Sequence, residues 1–189
     1  MGVAVALFAA MLATHAPRIF ARTQLRLRAL LARHPSLRFN FDHSVYPATS
    51  FNFGPATVCI DHTDAENDAC NWCHVVALGT YDCSKGGHAV FPDLKLVVRF
   101  PPGASMLIPS AILRHGNTPI GPQEKRLSLT QYCAGGLIRW VECGFRTVKT
   151  LERESPEEYR KYLAGLEERV RASCALFERV EVPGGSASG

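Results

Sequence analysis

The chain has 189 residues, 47% of them hydrophobic and 20% charged, with a formal net charge of +4. That length holds one sizeable domain with room for a helical appendage, and the balance of apolar to charged residues excludes a disordered chain. Seven cysteines, an odd number, lie at 59, 70, 73, 83, 133, 143 and 174. Only Cys70 and Cys73 have metal-like spacing and no second C-x-x-C completes a zinc site, so reduced thiols in an intracellular compartment are expected.

The charge is unevenly placed. Residues 1–41 hold six arginines (18, 22, 26, 28, 33 and 38) and no acid, leaving 15 basic against 17 acidic residues in the rest. Such a segment can face phosphates or can be a solvated helix face. Val3 to Ala13 is an apolar run, shorter than the roughly 20 residues that span a membrane. It has features of a signal-peptide core or a mitochondrial presequence, but no positive charge precedes it. A buried helix is the preferred reading. Pro17 then starts a second helix, with Phe20, Leu27, Leu30 and Leu31 opposite Arg18, Arg22, Arg26 and Arg33, and Pro35 ends it.

From Leu37 the text becomes aromatic and turn-rich. Phe51-Asn52-Phe53 alternates like a strand, and a further strand is expected over 56–60, leading to His62. HVVALGTY (74–81) reads as a buried strand, Ser84 to Gly87 as a turn, and 88–91 and 94–100 as strands. After Pro101-Pro102-Gly103, two strands joined by a turn form an expected hairpin. Its first strand carries Met106, Leu107 and Ile108 toward His115. Its second strand places Arg126, Ser128, Thr130 and Tyr132 on one face, with Leu127 and Leu129 on the other. Short, evenly punctuated strands point to a β-sandwich or barrel.

The last third differs. Ser155-Pro156-Glu157-Glu158 has the form of a capping box, and Tyr159, Leu163, Leu166, Val170, Cys174 and Phe177 recur at helical spacing. The expected organisation is N-terminal helices over 1–36 packed on the core, a β domain over 37–150, one amphipathic helix over 151–182 against the barrel's outside, and a flexible tail over 183–189.

His62 and Asp64, two residues apart, fall on the same side of a strand end, where an imidazole and a carboxylate can grip one metal ion. His115 would complete two histidines and a carboxylate on one face of an octahedral ion, the donor set of non-haem Fe(II) oxygenases. The open positions can take a bidentate keto acid and then O₂. The keto acid's far carboxylate needs a fixed cation, and Arg126 offers a planar fork, with Ser128 adding a hydroxyl. Singly, each residue has a plain alternative: His62 and Asp64 a local backbone-bonding pair, His115 a surface histidine, Arg126 an ion pair with Glu124. His74 fits a core histidine, Trp72 a core aromatic beside the 74–81 strand, and Asp61 and Glu66 outer partners of the metal site.

Together these residues resemble the Fe(II)/2-oxoglutarate dioxygenases of the TET/JBP type, and most nearly uncharacterised fungal members of that clade. The resemblance covers about residues 37–147. The family's H-x-D-x-x-N is matched by His62-Thr63-Asp64-Ala65-Glu66-Asn67, and its R-x-S-L-x-x-Y by Arg126 to Tyr132. It implies a double-stranded β-helix (jelly-roll) core with flanking helices, and Fe(II), 2-oxoglutarate and O₂ as cofactor and cosubstrates. It implies that Arg126, Ser128 and His88 hold 2-oxoglutarate, while Asn67 and Tyr132 contact a target base. DNA or RNA would then be a partner, no membrane would be involved, and a DNA substrate would place the protein in the nucleus. The family's second base-contacting histidine is replaced by Ala134, and no cysteine-rich zinc module is present. Two rivals stay open: the same mechanism on a protein or small molecule, and an inactive nucleic-acid-binding remnant of a mobile element.

Overall fold

The computed structural model describes residues 2–41 and 44–177, with side chains from residue 9 onward. Seven strands form two antiparallel sheets. The larger has the order β1 (Ala48–Asn52), β7 (Lys125–Tyr132), β2 (Cys73–Thr80), β5 (Ser105–Ile108). The smaller has the order β4 (Leu96–Val98), β3 (Ala89–Phe91), β6 (Gly116–Asn117). The expected strand over 56–60 forms no ladder, but its chain runs beside β6. Asn117 N donates to Cys59 O at 3.0 Å, and its side-chain oxygen accepts from Cys59 N at 2.8 Å. His62 and His115 pair across the same gap. With that segment counted second of eight, the orders become 1-8-3-6 and 5-4-7-2. This is the double Greek key of a jelly roll, and the fold is a double-stranded β-helix.

Alternation along the strands builds two cores. Inward residues Cys73, Ala77, Ala89, Phe91, Phe100 and Ile108 pack between the sheets, joined by Val75 and Met106. Leu107, facing the other way, meets Leu12, Ile19, Val45 and Tyr46 in a second cluster that seats α1 (Gly2–His15) and α2 (Pro17–Arg33) on the outside of the larger sheet. Trp72 belongs to this cluster, 6.5 Å from the Phe177 ring. Among the described residues, no helix is long and apolar enough to cross a membrane.

His74 is fully buried on β2. Burial lowers its imidazole to about 4, against a partly opposing hydrogen bond with Gln131. The unfolded chain therefore binds the extra proton first, at an ordinary histidine pKa near 6.5. The stability tied to the neutral ring is complete above that pH and is lost as pH falls from about 6.5 toward 4. A denaturant titration series over that window is expected to show a loss of about 3 kcal/mol, one pKa unit being about 1.4 kcal/mol. His74→Leu should flatten that part of the profile. An equally steep profile in the variant would place the titrating group elsewhere.

Four sequence expectations need correction. The strands over 105–108 and 125–132 are not a hairpin: β2 lies between them, antiparallel to both, so they run parallel to each other. Their connection crosses through the smaller sheet, as the double Greek key requires. The C-terminal helix is not single: α5 (Pro156–Ala164) stops at Gly165 and α6 (Leu166–Cys174) begins after it. A glycine there lacks the helical preference needed to carry the turn through. Neither helix buries a residue, and Leu163, Leu166 and Val170 are about half exposed. Contact with the helical cluster comes instead from Leu176 and Phe177. The capping box does not form, because Ser155 Oγ accepts from Arg146 Nη1 at 3.1 Å, and Arg146 also holds Glu158 at 2.6 Å. Finally, α3 (Gly135–Glu142) and α4 (Val148–Glu154) follow β7 where no helix was expected. Residues 178–182 and the tail over 183–189 lie outside the described residues.

Most arginines of the basic N-terminal segment stay at the surface, but four of the six bond other parts of the chain. Arg22 pairs with Asp68 at 2.5 Å, Arg26 with Glu142 at 3.1 Å, and Arg18 donates to Ala175 O at 3.1 Å. Arg38 bonds the backbone of Pro35 and Leu37, and Arg28 and Arg33 face solvent.

Candidate functional site

His62 and His115 are some fifty residues apart in sequence and direct neighbours in space. His62 N donates to His115 O at 3.0 Å, and His115 N to His62 O at 2.9 Å. This reciprocal pair sets the two rings side by side, with centroids 4.5 Å apart. Each ring is then oriented by its own chain: Nδ1 of His62 lies 2.7 Å from Ile60 O, and Nδ1 of His115 lies 2.9 Å from Leu113 O. A carbonyl can only accept, so each Nδ1 carries the proton and donates. In the neutral ring this leaves the Nε2 lone pair free for a ligand.

Asp64 enters from the turn after His62. Its backbone N donates to Ser110 O at 2.9 Å, tying the turn to the end of β5. His62 Nε2 lies 3.4 Å from Asp64 Oδ1, and His115 Nε2 lies 3.9 Å from Oδ2. One ligand atom from each of the three residues falls within 4.8 Å of the others. Adjacent ligands about 2.1 Å from one octahedral ion are about 3 Å apart, so the spacing is that of a site ready to close on a divalent metal. Two neutral imidazoles and a carboxylate suit Fe(II). The residues fit the ion.

The three open onto a cavity of about 670 Å³ between the sheets, within the usual range for small-molecule sites. Ser50 and Asn52 of β1, Val75 of β2, Phe91 of β3 and Met106 and Ile108 of β5 contribute walls. The predicted polar face of β7 is here too: Arg126, Ser128, Thr130 and Tyr132 all line it. Arg126 is 4% exposed. Its Nη1 donates to Thr57 O at 3.2 Å, and its buried Nε has no hydrogen-bond partner. Among the described residues it forms no ion pair. Glu124, its sequence neighbour, instead accepts from Asp82 N and Gly121 N, both at 2.6 Å. A buried cation with no acid beside it among the described residues, in the same cavity as a metal-ligand set, has the chemistry to take a carboxylate.

Asn52 was not legible as a site residue. Its amide donates to Ser128 Oγ at 3.0 Å, so the Ser128 oxygen accepts and its own O–H is free to donate. The strand alternation of Phe51 and Phe53 hinted only at a strand.

His88 is not brought to this cavity. It lines a separate open depression with Lys85, Gly121 and Glu124, and its Nδ1 lies 3.3 Å from Thr118 Oγ1. Trp72 does not line the cavity either, which leaves it as a core aromatic. Asn67 does line it, but its amide is turned toward Asp64. Asp61 is paired with Arg114, and neither lines the cavity, whereas Glu66 does. All seven cysteines are free. Burial raises the thiols of Cys73 and Cys133 to about 11 and about 12, which keeps both protonated and unreactive.

No family model matches the chain, and no curated protein matches it. Among solved structures it is similar to NgTET1 in complex with 5mC DNA, at 17% identity and a TM-score of 0.44 over 60% of this chain. It spans about half of that protein, 48%. It is also similar to the viral collagen prolyl hydroxylase vCPH from Paramecium Bursaria Chlorella virus-1 in its 2OG complex, at 16% identity and a TM-score of 0.32. That match covers 59% of this chain and 70% of the other.

Proposed function

We propose that this protein is an Fe(II)- and 2-oxoglutarate-dependent oxygenase that hydroxylates a C–H bond, with a methylated nucleic-acid base of the 5-methylcytosine or thymine type as substrate. The observation that carries the reading is a single cavity holding both the His62–Asp64–His115 set and a buried, acid-free Arg126. Bound Fe(II) would supply the chemistry by which O₂ converts 2-oxoglutarate to succinate and CO₂ and places one oxygen atom in the substrate C–H bond.

The protein's own groups position and shield. Arg126 presents its fork to the far carboxylate of 2-oxoglutarate, and the Ser128 hydroxyl, freed by Asn52, donates to the same group. Phe91, Phe100, Met106 and Ile108 exclude water behind them. Tyr132 and Thr130, farther along the same face of β7, stand where a planar substrate would enter, with Tyr132 offering a ring for stacking. A base in a duplex would have to be flipped out to reach this depth. In this reading the protein works inside the cell, and in the nucleus where the base is in DNA.

A second reading, the same chemistry on a protein side chain or small molecule, is favoured by the rim. Glu66 is exposed there, Arg114, the residue before His115, is held by Asp61, and four of the six N-terminal arginines bond other parts of the chain. An inactive remnant is disfavoured because both histidines, the aspartate and the arginine converge.

Succinate release separates these readings. With Fe(II), ascorbate and 2-oxoglutarate, slow succinate formation is expected without added substrate. An oligonucleotide carrying 5-methylcytosine should raise it several-fold, and that rise should shrink steeply between 50 and 200 mM salt (on the order of the loss seen for phosphate-dependent binding). Stimulation by peptides or metabolites but not oligonucleotides would select the second reading. No succinate under any condition would remove the enzyme.

A further inference from the structure

The cavity wall behind Asp64 is polar, although it is buried. Asn67 Nδ2 lies 3.3 Å from Asp64 Oδ2, 3.2 Å from Cys73 Sγ and 3.3 Å from Ser110 Oγ. Cys73 and Ser110 are themselves 2.7 Å apart, and are 3% and 1% exposed. Asn67 cannot easily leave this nest. Its backbone N donates to Asp64 O at 2.8 Å, closing the turn, and the next two anchors come from Asp68 N to Cys133 O at 2.8 Å and Gly135 N to Glu66 O at 2.8 Å. The turn that carries Asp64 is therefore pinned at one end to Ser110 and at the other to the exit of β7.

We infer that Asn67 is a positioning residue which, anchored by Ser110 and Cys73, engages Asp64 Oδ2 and so keeps Asp64 a one-oxygen ligand of the metal. The inference rests on the metal reading above. A carboxylate free to turn can offer both oxygens to a hard divalent ion. An N–H on Oδ2, which lies 3.9 Å from His115 Nε2, takes up acceptor capacity on that oxygen, while Oδ1, at 3.4 Å from His62 Nε2, keeps both lone pairs for the ion. The difference matters because a keto acid takes two positions on the ion and O₂ a third. With two imidazoles and one carboxylate oxygen, three of six positions stay open; a two-oxygen Asp64 would leave two.

This assignment points Asn67 at the ligand set, in contrast to the base contact that the family resemblance implies. The two roles make different demands. A base-contacting amide must present its donors to an incoming substrate, whereas the Asn67 amide is directed at Asp64 and at Cys73 and Ser110 in the wall behind it.

Anaerobic Co(II) titration of the full chain, followed by d–d absorption, tests it without turnover. Asn67→Leu keeps the branching and removes the donors. It is expected to bind Co(II) about 10- to 100-fold more weakly than wild type, the usual cost of losing an outer partner of a ligand, and with an altered band shape. Ser110→Ala, which removes one anchor and leaves the amide in place, should weaken binding about 3- to 10-fold and serves where Asn67→Leu does not fold. Metal affinity and spectrum within twofold of wild type in a folded variant would overturn the role of Asn67 while leaving the metal site standing. Absence of Co(II) uptake by the wild-type protein would overturn the metal reading, and this inference with it.

Discussion

Replacing His115 with alanine is expected to erase the visible charge-transfer band that wild-type protein develops when Fe(II) and 2-oxoglutarate are added without oxygen. The band requires the keto acid to chelate an ion held at this site, for which the described residues supply three donors. Loss of an outer-shell partner alone costs about 10- to 100-fold in metal affinity, so removing a direct ligand should cost at least about 100-fold. The fold should survive the change. What ties β6 to the segment before it is the backbone pair between residues 62 and 115, together with the Asn117 side chain, and neither uses the imidazole. Far-UV circular dichroism of the variant should therefore match wild type. His88→Ala, on the separate depression, should keep the band. A His115→Ala protein with a normal band would show that the three residues do not share an ion.

The second large effect is at Arg126. Its guanidinium is desolvated, with no acid beside it among the described residues, so burial carries an electrostatic cost that an incoming carboxylate would relieve. A charge-assisted hydrogen bond contributes about 1.5–3 kcal/mol, and every 1.4 kcal/mol is tenfold in affinity. Losing the two-pronged contact should therefore raise the dissociation constant for 2-oxoglutarate by about 100-fold in Arg126→Leu. Arg126→Lys should recover only part, because an ammonium cannot reproduce the planar fork. The thermal signature is distinctive. At 100 times its dissociation constant, 2-oxoglutarate should stabilise metal-loaded wild type by about 2.7 kcal/mol, and at the same concentration Arg126→Leu should gain little. Without ligand, the leucine variant should melt no lower than wild type, since a buried unpaired cation has been replaced by an apolar side chain. Equal ligand-induced shifts in the two proteins would mean that the keto acid binds elsewhere.

How much of this could be read from the residues alone depends on the range of the interaction that decides each feature. Alternation on β7 is local, so the shared face of Arg126, Ser128, Thr130 and Tyr132 was visible in the sequence, and the cavity uses that face. The apolar run of β2 and the Pro17 start of α2 are local as well. Partner choice between strands is not. Nothing in the text of β5 or β7 states that β2 will insert between them, because that outcome follows from how two sheets share one core. The same holds for Arg146, which takes the Ser155 hydroxyl away from its expected capping role from nine residues upstream. His88 stood at a plausible spacing, yet it lies just before β3, where its ring meets Thr118 and the separate depression rather than the cavity. Asn52, Ser110 and Cys73 make their side-chain contacts with residues 76, 43 and 6 positions away, and no spacing rule reaches them. The helix over 148–154 did have a readable start: Thr147 caps it by accepting from Thr150 N at 3.1 Å.

The segment carrying His62 is the least woven strand of the jelly roll, stitched to β6 by the reciprocal backbone pair and by one asparagine rather than by a continuous ladder. An ion gripped by His62, Asp64 and His115 would thus act as a rivet through the seam where the small sheet is weakest. The protein's own contacts close the barrel, and loading the centre would add stiffness at that one seam, so metal should protect the 56–62 backbone from exchange more than the ladders of the larger sheet.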